Sequence, residues 1–150
     1  LAAEGFEAMR LMRFLFYLPP EATSAVVESA DDLRASLAFR RPEYVRQNCQ
    51  GGTIAVTRDA YFRIGGHDEA FIGWGGEDNE FFDRCRLLRF HSWSYLPFVH
   101  LWHGLQSPGQ VSPSARQLLD ERLRAPRDQR AWQLAARLAG ARAVHEKEKP

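Results

Sequence analysis

The sequence predicts a mixed α/β fold with few strands and flanking helices, on three observations. Thr53-Ile54-Ala55-Val56-Thr57 is a short β-branched run, and Trp93 to Val99 alternates, so each reads as a strand. Apolar residues recur at one-turn spacing in several longer stretches, which read as helices. A run from Asn48 to Leu88, which contains the first of these strand signals, has the glycines, tryptophan and carboxylates that carry the most unusual chemistry of the chain.

Taken in order, Ala2 to Tyr17 reads as a helix with an apolar stripe of Phe6, Met9, Met12, Leu15 and Phe16, ended by Pro19-Pro20. A second helix is expected from Thr23 or Ser24 to Phe39, stopping before Pro42. Gly51-Gly52 precedes the first strand, which reads as buried. Arg58 to Ile64 forms a short helix that Gly65-Gly66 stops. Phe81, Phe82, Cys85 and Leu88 set the stripe of a helix from Asp78 to Leu88. Beyond a linker marked by Pro108 and Pro113, two polar helices are expected, Ser114 to Leu123 and Arg127 to Ala141. The second would dock through Trp132, Ala135, Ala136 and Ala139, and the mildly basic end reads as a solvated helical face that frays.

Composition narrows the function classes. A chain of 150 residues with 45% hydrophobic and 12% aromatic content can build one domain core. Its net charge of +1 does not point to nucleic acid as the main partner. Cys49 and Cys85 are too few for a disulfide framework and lack metal-motif spacing; Cys85 reads as core, while Cys49 stays open between reactive and inert. The longest apolar run, Leu11 to Leu18, is broken by Arg13 and is shorter than the roughly 20 residues that span a bilayer. Leu1 in place of a methionine, with Glu4 and Glu7 nearby, reads as an internal start rather than a signal peptide.

The candidate site centres on Gly73-Trp74-Gly75-Gly76-Glu77-Asp78. Glycines around one tryptophan permit turns closed to other residues and leave the indole face open to a flat ligand. Glu77 and Asp78 then open a helix below that loop and offer acid groups to a pocket. The same carboxylates also suit a helix N-terminus electrostatically, as capping residues commonly do. Gly51-Gly52, after Gln50, allows either close backbone approach to a ligand or a plain tight turn. His100-Leu101-Trp102-His103 ends the second strand. Residues three apart on a strand face opposite sides, so both imidazoles reach one ion only if the chain turns between them.

The run from Asn48 to Leu88 closely resembles the galactosyltransferase C-terminal domain of GT-A glycosyltransferases, including chondroitin-synthase-like and beta-1,4-galactosyltransferase-like enzymes, and a looser resemblance extends from about Gly5 to His103. The matching residues are Gly51-Gly52, Arg58, Phe62, Ile64-Gly65-Gly66, Asp68-Glu69 and Gly73-Trp74-Gly75-Gly76-Glu77-Asp78. The resemblance implies that residues 1–108 are the C-terminal part of a GT-A domain, with its core at 48–103, and that 109–150 are a helical extension. It implies transfer of a hexose or N-acetylhexosamine from a UDP-sugar to a glycan or glycoconjugate hydroxyl, with inversion and with Mn²⁺ or Mg²⁺ as cofactor. By that resemblance Asp78 is the general base, Glu77 binds acceptor hydroxyls, and Trp74 stacks on the sugar. Gln50, Gly51, Gly52, Gly75 and Gly76 then line the substrate site, His103 is the metal ligand, and His100 is a supporting or alternative ligand. His67 stands where relatives carry an aromatic and reads as a packing position, and Asp68 and Glu69 brace the loop. The implied compartment is the cytoplasm in a bacterium or the Golgi lumen in a eukaryote.

Two departures set the alternative. The Asp-x-Asp metal motif that precedes this part in relatives is absent, and Asp31-Asp32 reads as a solvated helical face. The other reading is therefore a non-catalytic, truncated homologue that binds glycan or a partner protein, and the 150-residue piece alone is expected to be inactive. Asn79-Glu80 also brings the string partly toward retaining relatives. A glycoside hydrolase is disfavoured, because adjacent Glu77 and Asp78 do not readily flank opposite faces of one sugar ring.

Overall fold

A computed structural model describes residues 4–29, 41–48, 53–92, 96–104 and 112–147. Its elements are β1 (Ala8–Arg10), β2 (Met12–Tyr17), α1 (Pro20–Glu28), β3 (Tyr44–Gln47), β4 (Ile54–Val56), α2 (Arg58–Arg63), α3 (Glu77–Cys85), β5 (Phe90–His91), β6 (Leu96–His100), α4 (Pro113–Arg124) and α5 (Arg127–Lys147). The result is the expected mixed α/β architecture: two small sheets with helices.

The chain forms two compact units, each discontinuous in sequence. The first comprises Leu1–Arg10, Gln50–Ser92 and Gly109–Pro150. Its sheet runs β4-β1-β5, with β1 antiparallel to β4 (Ala8 opposite Val56) and parallel to β5 (Ala8 opposite Phe90). Ala8, Ala60, Ile64, Phe81, Cys85, Leu88 and Ala131 form its core, bringing β1, α2, α3 and α5 together. The strand predicted at Thr53–Thr57 is present as β4, but its residues are half-buried rather than buried. Helix α2 starts on Thr57, whose hydroxyl accepts the Ala60 N–H, and stops where Gly65 and Gly66 take positive φ.

The second unit comprises Leu11–Cys49 and Trp93–Pro108. Here β2 lies between β3, to which it is antiparallel, and β6, to which it is parallel, with Tyr17 opposite both Tyr44 and His100. Leu18, Ala22 and Val26 pack as a small cluster beneath α1, and Thr23 Oγ1 accepts the Trp102 N–H at 2.7 Å.

Three expectations are corrected. The N-terminal helix over Ala2–Tyr17 is not formed: the described part of that stretch holds β1 and β2. Its aromatic-rich segment Met-Arg-Phe-Leu-Phe-Tyr suits a strand as well as a helical stripe, and ladders on both sides of β2 settle the choice. Helix α1 begins at Pro20 rather than at Thr23 or Ser24, because proline's fixed φ is already helical at a first position. Its expected continuation to Phe39 lies outside the described residues beyond Ser29.

Helix α5 does not dock through Trp132, which is 72% exposed; Ala131 and Leu134 face inward instead. A Cβ on Gly65 would stand 2.7 Å from the Ala135 nitrogen, so α5 lies directly against that glycine. Arg127 and Arg130, on the same stripe as Leu134, are ion-paired to α3 and fix the helix's rotation.

Candidate functional site

The glycine loop is braced before α3 begins. Asp68, 4% exposed, accepts the Ala70 N–H at 3.2 Å and Arg122 Nε at 2.7 Å, which ties the loop to α4 as a bracing carboxylate should. Glu69 is exposed. His67 is exposed, with its ring stacked on Phe81 at a centroid distance of 4.2 Å. Farther on, the Trp74 carbonyl accepts the N–H of Ser112, the residue that caps α4 through its own hydroxyl.

Gly73, Gly75 and Gly76 have φ of 95°, 94° and 96°, a region that L side chains rarely adopt. Gly76 caps α3, and a Cβ there would come 2.9 Å from the Phe71 ring and 3.2 Å from the Ala115 carbonyl oxygen. This turn leaves the Trp74 side chain 61% exposed. Directly after it, Glu77, Asp78 and Glu80 occupy the first turn of α3, where free N–H groups and the helix dipole favour negative charge.

The three acids have different fates. Glu80 is fully buried and is held by Arg84 and Arg130, with contacts from 2.5 to 2.9 Å. Glu77 is half-buried, and its Oε2 is buried without a hydrogen-bond partner among the described residues. Asp78 is half-buried, and among the described residues its carboxylate makes no ion pair. The first turn therefore presents two carboxylates not consumed by salt bridges beside an open indole. A buried acceptor without a donor is costly in isolation.

A buried ion cluster that sequence reasoning missed holds this turn rigid. Arg84 is fully buried; besides Glu80, it donates to the Ile64 carbonyl and, at 2.6 Å, to the Gly66 carbonyl, clamping α3 to the glycine turn after α2. Arg127 makes a two-pronged contact with Asp83 at 2.8 and 3.0 Å, and Arg130 joins at 2.5 Å. The hydrogen bonds from Arg127, then those from Arg130, hold the Asp83 carboxyl below its ordinary range against the opposing effect of burial. Cys85, wholly buried as predicted, has its thiol pushed up to about 12 by desolvation. The available signal was the i, i+4 pair Glu80 and Arg84 beside Phe81 and Cys85, an arrangement ordinarily read as surface.

The remaining predicted residues lie elsewhere. Gln50, Gly51 and Gly52 fall outside the described residues. His100 and His103 belong to the second unit, whereas Trp74 to Asp78 belong to the first. Strand β6 ends at His100, so strict alternation no longer separates the two histidines, and their ring centroids lie 5.1 Å apart. His100 also stacks on Tyr17 at 4.5 Å, and Tyr17 on Tyr44 at 4.3 Å. Two adjacent imidazoles suit a borderline divalent ion, but no group of three or more His, Cys, Asp or Glu is placed to hold one among the described residues.

Residues 32–98 match the family described as the N-terminal domain of galactosyltransferase. This stretch, 67 of the 150 residues, is similar to that family. The description names an N-terminal domain where the sequence resemblance pointed to a C-terminal one; the galactosyltransferase assignment is common to both. The matched stretch includes Trp74, Glu77 and Asp78 and stops short of His100 and His103, and the similarity supports a glycosyltransferase-like reading. Comparison with curated proteins and with solved structures returned no match. Among the described residues, no helix is long and apolar enough to cross a membrane.

Proposed function

We propose that this chain carries the acceptor-binding face and the general base of an inverting, UDP-sugar-dependent glycosyltransferase of the GT-A type. The observation that carries the reading is the turn Gly73–Asp78: an indole 61% exposed, followed by two carboxylates outside every described salt bridge at the start of a clamped helix. Trp74 stacks on the acceptor ring, and Glu77 accepts hydrogen bonds from its hydroxyls. Asp78 takes the proton of the attacking hydroxyl while that oxygen bonds to the anomeric carbon and the bond to the diphosphate oxygen breaks. Proton transfer of this kind contributes about 10²- to 10⁴-fold. His103, assisted by His100, would hold a Mn²⁺ or Mg²⁺ ion, which when bound neutralises the departing diphosphate.

The first test is Asp78→Asn in the intact protein, assayed for transfer from UDP-galactose and UDP-N-acetylhexosamines to glycan acceptors. Turnover is expected to fall at least about a hundredfold with acceptor affinity retained. Near-unchanged turnover removes Asp78 from the role. Glycan binding without any transfer in the unaltered protein favours a non-catalytic binder. The second test is His103→Ala, which should raise the Mn²⁺ concentration for half-maximal activity; an unshifted metal titration removes His103 as a ligand.

A further inference from the structure

A separate cavity of about 630 Å³ opens on the first unit, within the size range of small-molecule sites. Neither Trp74 nor Asp78 lines it. One wall is a single stripe of α3 and its C-cap, Asn79, Phe82, Asp83 and Arg86, at one-turn spacing. Phe82, Phe90, Leu119 and Leu123 supply apolar walls from α3, β5 and α4. The charges are lopsided. Among the described residues, Arg10 and Arg86 line the space, whereas the one acid there, Asp83, is already engaged by Arg127 and Arg130, which do not line it. Arg86 reaches Asp83 only at 3.9 Å and its side chain is 64% exposed, so it can turn to a ligand at little cost. Arg10, over the Phe82 ring at 5.2 Å, adds positive charge beside an apolar surface.

We propose that this cavity is a binding site for an anionic ligand built on an apolar or aromatic ring, its ring between Phe82, Phe90 and the α4 leucines and its acid group toward Arg86. The inference stands independently of glycosyl transfer.

The test titrates the intact protein with 8-anilinonaphthalene-1-sulfonate, an aromatic sulfonate, and with N-phenyl-1-naphthylamine, its uncharged counterpart, following probe fluorescence. Leu123, 47% exposed, is replaced by Trp to fill the space without burying new surface elsewhere, and Arg86→Glu reverses the lining charge. Circular dichroism confirms that both variants are folded. One saturable site is expected for the sulfonate, lost in Leu123→Trp and weakened about tenfold or more in Arg86→Glu, with the neutral probe indifferent to the charge reversal. Absence of a saturable single site, or sulfonate binding unchanged in either variant, overturns the proposal.

Discussion

Replacing Arg84 with Met tests the claim that the candidate site is held from beneath by a buried ion cluster. The side chain is fully buried and donates to Glu80, Ile64 and Gly66. Its removal leaves the Ile64 and Gly66 carbonyls without that donor, at about 1–3 kcal/mol for each buried group that stays unpaired. Glu80 keeps Arg130 and so escapes the full cost of an isolated charge, but breaking one side of a buried pair still costs about 3–5 kcal/mol. These costs overlap, and methionine recovers part of the packing, so the net loss is about 4 kcal/mol. A domain is stable by only about 5–15 kcal/mol, which makes this a large fraction. With a urea dependence of about 2 kcal/mol per M, the unfolding midpoint should fall by about 2 M. Arg86→Met provides the control: that arginine is 64% exposed, and its loss should cost under about 0.5 kcal/mol. A midpoint shift below about 0.5 M for Arg84→Met, or equal shifts for the two variants, would refute the clamp.

Two further outcomes follow from the same helix. Because its arginine partners hold Asp83 below its ordinary value of 3.8, the stability it contributes is present above that pH and is lost as pH falls through the lower, folded-state value. The stability difference between the unaltered protein and Asp83→Asn should be level near neutrality and shrink below pH 3.8, so a difference constant into strong acid contradicts the pairing. Cys85, with its thiol pushed up to about 12, should resist iodoacetamide at neutral pH until the protein is unfolded, as read by mass mapping of its peptide; modification of the native protein at the rate of a free thiol would show that the core is not closed there.

Local sequence signals were enough to place α2, α3, α4, β4 and the turn at Gly73–Asp78, because glycine pairs, a threonine cap and one-turn apolar spacing act over a few residues. What depended on distant partners was not legible. Met12–Tyr17 becomes a strand because β3 and β6 pair with it from more than twenty-five residues away. The rotation of α5 is set by Glu80 and Asp83 on another helix, which turns Trp132 outward against the expectation from its own stripe. Burial of Glu80, Arg84 and Arg130 runs against composition rules, and only their mutual pairing makes it tolerable. The two histidines three apart came side by side because the strand ends on the first of them.

The interleaving of the two units has a bearing on biogenesis. Each closes with a piece of chain that leaves the ribosome late: the pairing of Met12–Tyr17 awaits residues 96–100, and the charges of Glu80 and Asp83 await Arg127 and Arg130. Neither unit can close before its later segment has been synthesised, so acquisition of structure should be slow, dominated by long loop closures, and completed only after residue 130 emerges.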